Sequence, residues 1–82
     1  MKNPNVSSKE MLILIQELIE GQQKALLKCA KRIVPGVIAD DLLQPNDFLD
    51  LEEHPHFRYE EGVLAGMQTV ESALKAIVRE GI

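Results

Sequence analysis

The chain has few of the residues that stabilise small folds. It contains one cysteine, Cys29, so a disulfide within the monomer is excluded. A lone buried cysteine usually behaves as a small hydrophobe. We predict that role for Cys29 over that of a nucleophile, because the sequence places no base beside it. The chain has 82 residues, enough for one small domain, and domains of this size usually need metals, tight helix packing or oligomerisation to be stable.

Long apolar runs and glycine clusters are also missing. The run Met11–Ile15 lies between Glu10 and Glu17 and is far shorter than the roughly 20 apolar residues that span a bilayer. We therefore expect a soluble, cytoplasmic protein without a membrane partner. The five glycines are scattered, and no phosphate-binding loop, serine-hydrolase motif or paired-cysteine motif occurs. The sequence thus predicts no enzymatic activity and no cofactor.

Charge is distributed unevenly along the chain. The net charge is −4, and no basic surface with interleaved aromatics is evident, which argues against nucleic acid as a partner. Residues 40–61 carry eight acidic groups and one basic group, Arg58, whereas residues 1–39 carry six basic and three acidic groups. We expect the acidic middle to lie near the basic end of the first helix, and Arg58 to pair with a carboxylate of the connector. The basic cluster (Lys24, Lys28, Lys31, Arg32) suits a helix C-terminus, and an anion or acidic-partner site is the alternative.

Two long segments have a seven-residue apolar repeat. Ser7 and Glu10 have capping-box spacing, which predicts a helix over about 8–34 that Pro35 and Gly36 end. The residues of its repeat form a packing seam: Leu12, Ile15, Ile19, Gln22, Leu26, Cys29 and Ile33. A second apolar row, Met11, Leu14, Leu18 and Ala25, runs beside the seam, so this face is wider than one partner helix requires. Gly21 disfavours helix, but we predict that the helix continues through it.

The rest of the chain is predicted to form a helical connector and a second long helix, antiparallel to the first. Residues 1–7 are expected to form a disordered tail, and residues 8–82 a single helical domain. The connector, about 37–53, is expected to form short helices, one of them capped by Asn46, with Phe48 and Phe57 closing the end of the bundle. A last helix is predicted over about 56–80. Its apolar repeat is Val63, Met67, Val70, Leu74 and Ile77. A second row of the same helix has small side chains (Gly62, Ala65, Gly66, Thr69, Ala73, Ala76). This row favours close helix contact within the monomer or across a dimer, a ligand pocket being the alternative.

One chemically rich cluster lies in the connector region: Glu52, Glu53, His54, His56, Glu60 and Glu61. Histidine and carboxylate are common metal ligands, but the spacing fits no known metal motif. We expect solvated or capping histidines. A metal or ligand site at His54 and His56 at the bundle end is the alternative hypothesis, and a catalytic histidine a lesser one.

These patterns predict an all-α fold: an antiparallel hairpin of two long helices with a short helical connector, dimerising into a four-helix bundle. The predicted function is that of a small protein–protein interaction module, an adaptor, chaperone or regulator. Its partner is expected to be a second copy or another helical protein. The predicted partner or dimer interface comprises Leu12, Ile15, Ile19, Gln22, Leu26, Gly62, Gly66, Val70 and Ala73.

Overall fold

The structure is a computed structural model that describes residues 6–81, apart from the side chain of Asn46. Of the predicted tail, residues 1–5 lie outside the described part. The elements are α1 (Ser8–Ile33), 3₁₀ turns at Ala39–Leu43 and Pro45–Asp47, α2 (Leu49–Glu52) and α3 (Pro55–Arg79). No strand occurs between residues 6 and 81. The long helices α1 and α3 pack against each other, which confirms the all-α hairpin.

Helix α1 begins at the capping box. Ser7 Oγ accepts a hydrogen bond from the Glu10 amide at 3.1 Å, and Glu10 Oε1 accepts one from the Ser7 amide at 2.8 Å. These two bonds satisfy donors that an uncapped helix would leave unpaired. The helix then passes Gly21 without a break. It ends before Pro35, because the residue preceding a proline is pushed out of helical geometry, and Val34 is extended.

The connector, residues 34–54, is made of tight turns. The Ile38 amide donates to Asp41 Oδ2 at 2.9 Å, which closes the first 3₁₀ turn. The prediction that Asn46 caps a helix is wrong, because Asn46 lies inside the turn Pro45–Asp47 and α2 starts after Phe48. Proline has its φ angle fixed and needs no amide partner, so Pro45 begins this turn. Pro55 occupies the corresponding first position of α3.

The hydrophobic core lies at the connector end of the hairpin. Its buried members come from α1, the connector and α3: Leu26, Cys29, Ala30, Val37, Leu51 and Phe57. Phe48 is half-buried and packs against this cluster. The predictions that Cys29 is a core residue and that Phe48 and Phe57 close this end are confirmed.

The opposite end of the hairpin has a much thinner core. Among residues 6–81, Ile19 is the one buried residue outside the connector-end cluster. The radius of gyration is 15.8 Å, against about 12 Å for a compact chain of this length. The molecule measures 48 × 21 × 19 Å. It is therefore a rod two helices thick, with one well-packed end.

Candidate interaction surface

The hairpin has two sides of different chemistry. On one side, Gln16 Nε2 lies 3.4 Å from Glu71 Oε2, so these residues mark where α1 meets α3. A groove of about 470 Å³ continues along this side and is lined by Glu20, Gln23, Lys24, Leu26, Leu27, Ala39, Asp40, Leu42, Leu43, Leu64 and Gln68. We call it the connector groove. Its lining combines leucines with two acidic groups and one basic group.

The other side of the hairpin has a stretch of surface without charged residues. Consecutive helical residues are about 100° apart, so a residue two positions from one on the groove side lies about 200° away, on the opposite flank. Leu14 and Leu18 stand in this relation to Gln16, as do Gly66 and Val70 to Gln68. We call this surface the open face and define it as Met11, Leu14, Leu18, Gly21 and Ala25 of α1 with Gly62, Gly66, Val70 and Ala73 of α3. All nine residues are exposed.

The open face carries large apolar side chains in solvent. Met11 is 40% exposed, Leu14 55%, Leu18 49% and Val70 49%. Single exposed leucines are ordinary on protein surfaces. A contiguous row of them beside a thin core, without a charge among them, is characteristic of an interaction site.

The glycines of α3 are not needed for packing inside the hairpin. A Cβ atom built on Gly62 or Gly66 would meet nothing within 4 Å. The close helix contact that the small row predicts is therefore not made at these glycines within the monomer. Contact across a dimer remains as a prediction.

The predicted interface residues fall into two groups. Ile19 and Leu26 are buried, and Leu12, Ile15 and Gln22 are half-buried between α1 and α3. Gly62, Gly66, Val70 and Ala73 are exposed on the open face. The predicted set omitted Met11, Leu14 and Leu18, which are the bulkiest residues of this face on α1. Their signal was the second apolar row, which exceeds what one hairpin can cover.

A polar cluster bridges the two helices beside the core. Gln22 Nε2 donates to the backbone oxygen of Glu60 at 3.0 Å and to Glu60 Oε1 at 2.6 Å. His56 Nε2 lies 3.2 Å from Glu60 Oε2. The hydrogen bond from Gln22 lowers the pKa of Glu60 below its ordinary value, with smaller contributions from His56 and Arg32. The half-buried Gln22 amide thus finds its partner within the hairpin.

The two histidines have separate environments. His54 precedes the first residue of α3, and its buried Nδ1 atom has no hydrogen-bond partner. His56 is bonded to Glu60, with 51% of its side chain exposed. Among the described residues, no group of three or more His, Cys, Asp or Glu side chains is placed to hold a metal ion. The hypothesis of a metal site at His54 and His56 gains no support from this geometry.

The basic cluster lies on the outer surface of α1. Lys24, Lys28, Lys31 and Arg32 are exposed around Leu27. Within residues 6–81, the ion pairs are His56–Glu60, Arg58–Glu61 and Lys75–Glu71, so none joins this cluster to the acidic connector. The prediction that Arg58 pairs with a connector carboxylate is wrong. Its Nη1 lies 3.3 Å from Glu61 Oε1, because Glu61 is one helical turn away on the same helix.

Comparison with known proteins finds no protein family, curated protein or solved structure that matches this chain. In the part of the chain that the structure describes, no helix is both long and apolar enough to cross a bilayer. Any functional assignment therefore depends on the surfaces themselves.

Proposed function

We propose that this chain is a non-enzymatic protein–protein interaction module that acts as a homodimer. Its open face binds the open face of a second copy, and the two hairpins form a four-helix bundle. The observation that supports this proposal is the row of exposed apolar side chains, Met11, Leu14, Leu18 and Val70, on a face without charge. Another helical protein presenting the same chemistry would be a heterodimeric partner.

Burial of the open face would supply a free energy of the size that association requires. Complete burial of a leucine side chain contributes about 1.5–3 kcal/mol, so covering a half-exposed leucine contributes about 1 kcal/mol. Four such side chains on each of two copies give roughly 8 kcal/mol, to which the half-buried seam residues beneath them would add. This gain is comparable to the cost of association, about 4–15 kcal/mol. Each large side chain of the open face therefore has a measurable effect on dimer affinity.

Charge reversal at a single apolar position tests the proposal. Leu18→Glu would bury two carboxylates in a symmetric dimer, since each copy contributes one, and should weaken the dimer at least about 100-fold. Leu43→Glu is the matched control, because Leu43 is 78% exposed but lies in the connector groove. Sedimentation velocity across a concentration series should give dimers for the unmodified chain and Leu43→Glu, and monomers for Leu18→Glu.

Circular dichroism keeps this test unambiguous. Leu18 is exposed in the hairpin, so Leu18→Glu should retain the helical spectrum while losing the dimer. Equal dimer affinity for Leu18→Glu and Leu43→Glu would contradict the assignment of the open face. An unmodified chain that is monomeric at micromolar concentrations would contradict dimerisation itself.

A further inference from the structure

We infer that, in this dimer, α1 of each copy lies against α3 of the other, with the two-fold axis parallel to the helices. The inference rests on the proposed dimer and specifies which surfaces meet. It follows from two properties of the open face: the unequal size of its two rows, and the level along the rod at which each residue lies.

The two rows differ in bulk. On α1 the row is led by Met11, Leu14 and Leu18, which project large side chains. On α3 the row is Gly62, Gly66, Val70 and Ala73, with one large residue among four. Large side chains require space opposite them, and glycine or alanine provides it, because interfaces pack to the same density as protein interiors. The bulky row of one copy is therefore complementary to the small row of another.

The levels of the two rows also agree. The hydrogen bonds Gln16–Glu71 and Gln22–Glu60 fix how α1 and α3 align in the hairpin. Leu18 lies a third of the way from Gln16 to Gln22 on α1. On α3 it is therefore level with a point a third of the way from Glu71 to Glu60, which falls between Gly66 and Val70. Leu14, one turn earlier, is level with Val70 and Ala73. Bulky and small residues thus lie side by side at the same height.

A two-fold axis between the faces and parallel to the helices preserves these heights. It places α1 of the second copy over α3 of the first, so that Leu18 meets Gly66 and Val70 of the other copy. An axis perpendicular to the helices would instead place α1 on α1 and α3 on α3. Bulky side chains would then hold one helix pair apart while the other pair needed close contact, and a rigid hairpin cannot satisfy both spacings without voids.

The chemistry and area of the open face fit a second copy. None of its nine side chains offers a hydrogen bond or a charge, so a polar partner would leave its own groups unpaired. From Met11 to Ala25 the face extends about 21 Å along α1, and the rod is 19–21 Å wide. Two copies would cover roughly 800 Å² in projection, which is the size of a small, reversible interface.

Disulfide trapping distinguishes the two arrangements. In a Cys29→Ala background, Leu18→Cys and Gly66→Cys chains are prepared separately, mixed, unfolded and refolded together, and then oxidised under mild conditions. A disulfide needs Cα atoms within about 4.4–6.8 Å, so it reports direct neighbours. We expect the mixed disulfide between L18C and G66C. A mixture of Gln23→Cys and Gln68→Cys, both in the connector groove, should form no disulfide between chains.

Light scattering on each mixture before oxidation distinguishes loss of the dimer from a different arrangement of its helices. A monomeric mixture, together with a monomeric unmodified chain, would overturn the proposed dimer. A dimeric mixture that yields L18C–L18C disulfides would overturn the α1–α3 arrangement while leaving the dimer intact. A dimeric mixture without the L18C–G66C disulfide would also overturn the arrangement.

Discussion

Gln22 of α1 donates from one nitrogen to two atoms of Glu60 on α3, the backbone oxygen at 3.0 Å and Oε1 at 2.6 Å. This contact joins residues 38 positions apart in the chain. It fixes the alignment of the two long helices at the point where the packed core gives way to the thin end. A half-buried amide needs such a partner, and Gln22 finds it within its own chain.

Replacing Gln22 should change the ionisation of Glu60. We expect Gln22→Ala to raise the pKa of Glu60 toward its ordinary value, because the donor that lowers this pKa most is removed. Gln23→Ala is the control, since Gln23 lies in the connector groove away from Glu60. A carboxyl-detected NMR titration measures the pKa, and a Glu60 pKa that is unchanged in Gln22→Ala would argue against the hydrogen bond.

Acid should destabilise the hairpin through two carboxylates. The pKa values of Glu10 and Glu60 are both lowered from 4.5, Glu10 by the Ser7 capping box and Glu60 by Gln22. A carboxyl whose folded-state pKa is lowered stabilises the fold fully above its unfolded pKa and loses that contribution as pH falls through the folded value. The free energy of unfolding should therefore decrease as pH falls below about 4.5.

Glu60→Gln provides the control for this pH dependence. Glutamine does not ionise, so the variant should show a shallower fall in unfolding free energy below pH 4.5, measured by urea titration. The Glu10 contribution should remain, because Ser7 and Glu10 are unaffected. An identical acid dependence in the two proteins would show that Glu60 has the same pKa in the folded and unfolded states.

The connector-end core should dominate monomer stability. Leu51 is fully buried, whereas Leu49, two residues earlier in the same helix, is 61% exposed. Leu51→Ala should lower the free energy of unfolding by about 2–5 kcal/mol, because it removes buried methyl groups and leaves a cavity. Leu49→Ala should change it by less than about 0.5 kcal/mol. Thermal and urea unfolding would contradict the core assignment if the two substitutions had similar effects.

Glycine substitution should have opposite effects on the helix and on the dimer. Gly66→Ala should stabilise α3 by roughly 1 kcal/mol in a monomer, because alanine favours helix and its Cβ would meet nothing within 4 Å. The same methyl group would intrude where Leu18 of a second copy is proposed to pack. Dimer affinity, measured by sedimentation, should therefore fall in Gly66→Ala but not in Ser72→Ala, an exposed control outside the open face. Unchanged affinity in Gly66→Ala would contradict close packing there.

The long helices were predictable because their signals are local. The Ser7–Glu10 capping box, the seven-residue apolar repeats and Pro35 each act over a few residues, and α1 starts at Ser8 and ends one residue before the predicted boundary. The turns of the connector were less predictable. Three-residue turns have no apolar periodicity, and Pro45 began a 3₁₀ turn that displaced the expected cap at Asn46.

The candidate surface was predictable only in part. The sequence showed that α1 has more apolar residues than one hairpin can bury, but it could not show which row faces α3. That choice depends on the rotation of α1 about its axis, which is set by nonlocal contacts such as Gln22–Glu60. The seam residues Ile19 and Leu26 therefore became internal, and Met11, Leu14 and Leu18 became the exposed row.

The molar mass of the unmodified chain in solution decides whether the open face binds a second copy. Sedimentation equilibrium at several micromolar concentrations should give a species of twice the 9.2 kDa of one chain, dissociating reversibly on dilution. A single species of 9.2 kDa at every concentration would contradict the claim that the open face binds a second copy.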